Sequence, residues 1–424
     1  MRCPLCARYA LRVTGAVVVL GAVAWGAWYV LSPRPSLEPV AALFAAKQFD
    51  EAAARLTEYL RVYPSDESAH YLGAQLALDR PEPGEADARR ALVHLDKIRS
   101  RTRDQAALVM MNRGKARLLL DDLDGAETAW TTALELDPTV PEAGWYLLDL
   151  YYFQWRGSEA IRLALRLHAI EPDARDRVRF LTELVRQDLQ RLKPRYVVQW
   201  FEPKVRHNPT DMHASLALGR ALVLDARIDE GLALLRRVVD AHPDAPEAWD
   251  ALLSGLDEGG AEAEAWDEAF ARLPKALASD PRFARHRGRV AQDRLDWPAA
   301  AAEYRRALEL EPDDKTLVYR LGRVLRNTGA ADEAGRIEKA LQEVQNALPE
   351  LAAAYREVAA NSAFGAVPDI RMYCRLAALR ERMSRRAEAL AWHRLVLRSL
   401  PDDPASRAAV ERLAQNKKGP EAAL

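Results

Sequence analysis

The sequence predicts an all-α protein, a solenoid of antiparallel helix pairs preceded by one transmembrane helix, and three observations predict it. Alanine, leucine, arginine and glutamate, all strong helix formers, dominate the chain, and no run alternates Val, Ile and Thr for long enough to read as a strand. The body is self-similar, with 34 residues from Pro138 to Pro172 and again from Pro209 to Pro243. Near the start, residues 13–31 carry no charge. At 424 residues the chain is too long for one ordinary core, so several domains or a repeat array must share the burial.

The elements follow in order. Residues 1–12 form a short basic segment with Arg2, Arg8 and Arg12. Residues 13–31 read VTGAVVVLGAVAWGAWYVL. At about 1.5 Å per residue such a helix spans about 28 Å, close to the ~30 Å hydrocarbon core of a bilayer. Behind it Glu38 and Glu51 offset Arg34 and Lys47, so the arginines in front hold the N-terminus in the cytoplasm and the body crosses to the far side. Trp25, Trp28 and Tyr29 stand at the distal end, where amphipathic rings favour the headgroup layer. A second reading is a cleaved signal peptide ending at Ala24, which leaves residues 25–31 as an apolar stub. Residues 32–36, with two prolines, form an extended spacer of about 15 Å at ~3.1 Å per residue, which keeps the body near the membrane surface.

Residues 37–401 hold the repeats. Six segments align: 49–64, 123–138, 156–172, 228–243, 297–312 and 384–401. Each carries a small residue, a bulky one about four later, an apolar one three further on, and a closing proline that cannot continue a helix. Ala52, Ala126, Ala160, Ala300 and Ala389 are small residues of this kind, and Ala334 is another in the unit after 297–312. An amphipathic segment precedes each, for example 142–153, 213–224, 248–256 and 317–327. Leu72-Gly73, Leu218-Gly219 and Leu321-Gly322 recur at one place in it, where a small residue lets the second helix approach.

These residues, six or more units in phase, resemble the tetratricopeptide repeat family over about residues 37–401. The resemblance implies antiparallel helix pairs in a right-handed superhelix, about nine to ten units, with a concave face made mainly by the first helices. It implies that each pair packs on its neighbours alone, since one hairpin cannot bury its apolar stripe. Three stretches depart from the pattern and read as bends or joints. Residues 173–209 lack a first-helix signature and carry Pro194 and Pro203, 257–281 are shortened around Gly259 and Gly260, and 346–369 read as an insertion. Residues 402–424 comprise a polar capping helix and a frayed tail.

The chemistry is sparse. The eight histidines include no pair four apart, and there is no HExxH, phosphate-binding glycine loop or nucleophile elbow. The expectation is a protein that is not an enzyme, with no cofactor and no metal. Cys3 and Cys6 offer half a zinc site, or else lie in an unstructured stub with an acylated cysteine; Cys374 is the single thiol of the body. The 61 basic and 62 acidic residues leave a net charge of −1, which argues against nucleic acid as a partner.

The resemblance places partners, proteins or peptides, in the concave groove and marks two zones on first-helix positions. Trp145, Asp149, Tyr152 and Phe153 would line an apolar pocket, or else pack on the next repeat. Arg282, Arg285, Arg289, Arg323 and Arg326 would form a basic stripe for an acidic segment or a C-terminal carboxylate, because guanidinium forks bind carboxylates bidentately. The other reading of the stripe is local pairing with Asp293, Glu303 or Glu309. The carboxylate clamp of chaperone-tail readers is not claimed, because asparagines are scarce and Asn112 and Asn327 are the nearest candidates. The leading expectation is a non-catalytic scaffold in the bacterial cytoplasmic membrane, with its body in the periplasm. The alternatives are an accessory subunit that holds substrate for an envelope enzyme, of polysaccharide-export or cytochrome-maturation type, and an RNA-binding protein.

Overall fold

The computed structural model describes residues 35–415 except 101, 191, 312, 313 and 364–368. The expected membrane helix at 13–31, the basic segment with Cys3 and Cys6, and the tail from 416 lie outside the described residues. Among the described residues there are α-helices and one 3-10 turn but no strand, and no helix is long and apolar enough to cross a membrane. The described residues fall into two compact units, divided after residue 99.

In the first unit, α1 (Glu38–Ala45) pairs with α2 (Phe49–Val62), and α3 (Glu67–Leu78) with α4 (Glu85–Leu95). Val40, Ala52, Leu56, Ala69 and Leu76 fill its core. A β-carbon on Gly73 would stand 2.7 Å from the His94 ring, so only glycine admits α4 at that distance.

The second unit opens with the pairs α5 (Arg103–Leu119) with α6 (Leu123–Leu136) and α7 (Pro141–Phe153) with α8 (Gly157–Ile170). Then come α9 (Ala174–Leu189) and α10 (Pro194–His207). Beyond them are α11 (Met212–Leu224) with α12 (Ile228–Ala241), α13 (Pro246–Glu258) with α14 (Ala263–Arg272), and α15 (Ala284–Asp293) with α16 (Trp297–Leu310). Next are α17 (Lys315–Asn327) and α18 (Ala331–Ala363), and the described chain ends with α19 (Ile370–Arg382), α20 (Arg386–Ser399) and α21 (Pro404–Gln415).

One turn recurs between first and second helices. Lys47, Asp121, Trp155, Ala226, Leu295 and Ser384 all have φ between 54° and 64°, a left-handed backbone that costs an L-residue about 1–2 kcal/mol. The return is a repeated helix stop. The N–H of Arg227, for example, donates to the Leu222 carbonyl at 2.8 Å, and that of Asp296 to Ala291 at 2.9 Å. The small residues sit where the pairs touch. Ala52, Ala126, Ala160, Ala300 and Ala389 are fully buried, and a β-carbon on Gly219 would meet Leu235 at 2.7 Å.

Two joints differ from the sequence expectation. Residues 173–209 form α9 and α10, which do not pack along one another as a hairpin. α10 packs on α11, and its Trp200 stacks on Phe153 of α7 at 5.2 Å. α9 carries apolar side chains on two faces. Phe180 and Leu184 join the core of α5–α8, and Val178, Leu181 and Val185 join that of α18–α20. The expectation that each pair packs only on its sequence neighbours is therefore corrected at α9, whose apolar surface is too wide for one partner to cover. Residues 346–363 are likewise no insertion. They are the second half of α18, a helix of 33 residues, about 50 Å long at 1.5 Å per residue, that runs on from α17 and reaches α9.

Candidate partner-binding groove

The first helices α11, α13, α15 and α17 stand in series, because each is followed by a second helix that packs on the next pair. Their facing side chains are charged, and most of the charges answer one another. Asp257 of α13 is the centre. Arg320 of α17 grips it with both nitrogens, at 2.7 and 2.9 Å, and the Arg289 Nε of α15 lies 3.3 Å from it. Arg289 also reaches Asp293 at 2.9 Å. Arg285 of α15 takes Glu311 at 3.1 Å and Asp314, whose other oxygen caps α17 through the N–H of Thr316 and Leu317. The buried His286 ring lies 3.1 Å from Asp250 of α13. Burial pushes the Asp250 carboxyl up, but this bond and the charges of His286, Arg220 and Arg285 outweigh it and hold the group below its usual range. Partial desolvation raises Glu258 and Glu311 despite neighbouring arginines, although both side chains keep contact with solvent.

The five arginines of the expected stripe fall into two sets. Arg282 sits not on α15 but in the 3-10 turn Pro281–Phe283 before it, where it pairs with Glu247 at 2.7 Å and Asp280 at 3.0 Å. Arg285 and Arg289 brace helices as described, and Arg326 pairs with Glu338. Arg323 alone of the five is exposed with no ion pair among the described residues. One turn before it on α17 stands Tyr319, 63% exposed. The local pairing left open by the sequence applies to four of the five. Of the three acids considered, Asp293 takes Arg289, whereas Glu303 takes Arg287 and Arg306 instead.

The aromatic zone is half-covered by the chain itself. Trp145 stacks on Phe180 of α9 at 4.4 Å under the Arg179 guanidinium, and Phe153 stacks on Trp200 of α10. The Tyr152 hydroxyl donates to the Gln190 carbonyl, and Arg186 lies 5.0 Å over its ring. These rings bind α9 and α10 to α7 and leave Asp149 exposed beside the charges of Glu183 and Arg186. An open aromatic pocket is thus corrected to a packed seam, because α7 has helices on both sides of it.

Sequence reasoning missed Arg320, Asp257 and Tyr319. Arg320 directly precedes Leu321-Gly322, so its helical position was readable. Its acid lies 63 residues away, and no local spacing points to it. Among the described residues no group of three His, Cys, Asp or Glu is placed to hold a metal ion. The Cys374 thiol is half-buried, and burial raises it further from the reactive thiolate.

The family model described as tetratricopeptide repeat matches residues 41–97 and 286–366. Cellulose synthase operon protein C of Pseudomonas fluorescens (strain SBW25) is 27% identical over 152 residues, a match that spans 34% of this chain and 12% of that protein's length. Among solved structures, the C-terminal part of a TPR repeat-containing protein from Cytophaga hutchinsonii is similar at a TM-score of 0.31 and 15% identity, over 68% of this chain and 99% of that one. A tetratricopeptide repeat protein from Parabacteroides merdae ATCC 43184 is similar at a TM-score of 0.30 and 10% identity, over 74% and 100%.

Proposed function

With tetratricopeptide repeats at 41–97 and 286–366 as the premise, we propose that this protein is a non-catalytic scaffold that binds partner proteins or peptides in the groove of α11, α13, α15 and α17. One observation carries the reading. Tyr319 and Arg323 stand exposed one turn apart on α17, whereas the arginines around them are held by the chain's own carboxylates. The braced charges form a preordered floor, and the free pair supplies an aromatic surface beside a cation. Such a pair fits a ligand that carries an acidic group, a side chain or a C-terminal carboxylate, next to an apolar one. Arg282, Arg285, Arg289 and Arg326 shape the floor.

The scaffold is anchored by residues 13–31 in the bacterial cytoplasmic membrane, with the repeats on the periplasmic side. The charge-free segment and the arginines before it support this topology. A second reading makes the protein an accessory subunit that holds a substrate chain beside a polysaccharide-exporting enzyme. The similarity to part of a cellulose synthase operon protein supports that reading.

A photo-crosslinking residue in place of Tyr319, in the native host, tests the groove. The expected result is one dominant adduct, lost on Arg323→Glu with folding intact. Scattered adducts that ignore Arg323→Glu overturn it. Digestion of the repeats in intact spheroplasts tests the topology, and protection until lysis overturns that.

A further inference from the structure

The closure of α9 on the C-terminal helices assembles a second set of arginines, far from the groove in sequence. Arg398 near the end of α20 reaches α8, where its Nη2 donates to the Ala169 carbonyl at 3.5 Å across 229 positions. Arg177 in the first turn of α9 donates to the Glu171 carbonyl at 2.8 and 2.6 Å and to that of Pro172 at 3.0 Å. Both guanidinium groups therefore end on the carbonyls at the C-terminus of α8, where the helix dipole favours cations. The two also repel. Burial, then the charge of Arg398, lowers the Arg177 pKa, and burial with both arginines holds the neighbouring His168 down at about 4.

Three more arginines extend the set. Arg162 and Arg166 are exposed one turn apart on α8, in line with Ala169, and Arg394 is exposed one turn before Arg398 on α20. None of the five forms an ion pair among the described residues. The nearby acids act on Arg177 through their charge but are also held by backbone: the Glu171 Oε1 accepts from the Asp173 N–H at 2.9 Å, and the Asp173 Oδ1 caps α9 through Arg175 and Asp176 at 2.8 and 3.1 Å. Two large apolar side chains flank the set, Ile170 at 42% and Leu400 at 46% exposure.

We propose that the junction of α8, α9 and α20 is a docking surface for an acidic segment of a partner protein. The partner's carboxylates take the exposed Arg162, Arg166, Arg394 and Arg398, and its apolar side chains cover Ile170 and Leu400. Charge complementarity selects the acid. The two exposed apolar side chains favour a protein segment over a nucleic-acid backbone, which offers phosphates with no aliphatic surface. The surface shares no residue with the groove and exists only because α20 folds back onto α8, so its failure and that of the groove are separable.

The test is fluorescence anisotropy of the full chain in detergent at low salt, with a labelled peptide that repeats Glu-Asp-Leu. The peptide is expected to bind, to be displaced by salt, and to lose affinity by at least about ten-fold in the pair Arg394→Glu and Arg398→Glu. Acid beside leucine also suits the groove, so each measurement is made in the Arg323→Glu background, where the peptide should still bind and the amide analogue that repeats Gln-Asn-Leu should not. Arg398 also touches α8, so its reversal could open the junction. The pair Arg162→Glu and Arg166→Glu, which makes no such contact, must therefore weaken the peptide too, with hydrogen exchange in α18–α20 unchanged. No binding, binding indifferent to Arg162 and Arg166, or a preference for single-stranded RNA or anionic vesicles over the peptide overturns the proposal.

Discussion

The arm α11–α17 and the closure of α9 on α18–α20 are built from the same kind of helix but are held together differently. In the arm each pair meets the next through small residues and short-range caps, and the charges lie on the half-exposed groove face. In the closure, helices almost two hundred positions apart meet through an apolar core and a cation with no solvent access. Arg380 of α19 is fully buried and pairs with Asp188 of α9 and, at 3.1 Å, with Glu388 of α20. Asp188 also takes Arg385 at 3.4 Å. The arm's charges are affordable because water reaches them. The closure's are stable only as a matched set, because burial makes each one costly alone.

That contrast can be broken at several points. Arg380→Ala removes the buried cation between the Asp188 and Glu388 carboxylates, and should cost about 3–5 kcal/mol in a urea titration, with hydrogen exchange rising in α18–α20 before α11–α17. By comparison Arg285→Ala, in the half-exposed arm, should cost at most about 1 kcal/mol. Equal costs would erase the distinction between the regions. Gly219→Val drives a side chain into Leu235, and should cost about 1–3 kcal/mol, with the loss confined to the arm. Leu295→Gly works in the other direction. The residue is 66% exposed with φ at 59°, so glycine relieves the turn while forfeiting little burial, and stability should rise by on the order of 1 kcal/mol.

A pH-dependent effect lies at the seam between the opening pairs and the arm. Asp211 caps α11 through the Ala214 N–H at 2.8 Å and faces Asp124 of α6. Burial first, and then the Asp124 charge, push the Asp211 carboxyl up to about 7 from 3.8. A carboxyl raised on folding favours the fold while protonated, so its contribution is present below pH 4 and is lost as the pH rises toward 7. Asp211→Asn keeps the cap and removes the titration. Its urea midpoint should gain on that of the parent as the pH rises from 4 to 7, and parallel curves would show that the seam does not titrate.

Much of this protein was legible residue by residue. The second helices at 123–136 and 228–241, the first helices before them and their small contact residues follow from spacing alone, because a hairpin is a local object set by periodicity, caps and prolines. The rest was hidden for a physical reason. Residues 173–189 carry apolar side chains on two faces, and a single sequence shows that width without showing what covers the second face. Which arginines are free was hidden too. Arg323 and Arg320 lie three positions apart and look alike, yet one is exposed with no ion pair among the described residues and the other is locked to Asp257, 63 positions away. By itself the sequence determined the all-α repeat, its period and its turns, since those depend on contacts within some 34 residues. Only the tertiary structure decided that α18 runs on to meet α9, and hence which charges are spent inside the fold and which remain for a partner, because burial and pairing depend on surfaces that meet only after the chain has folded.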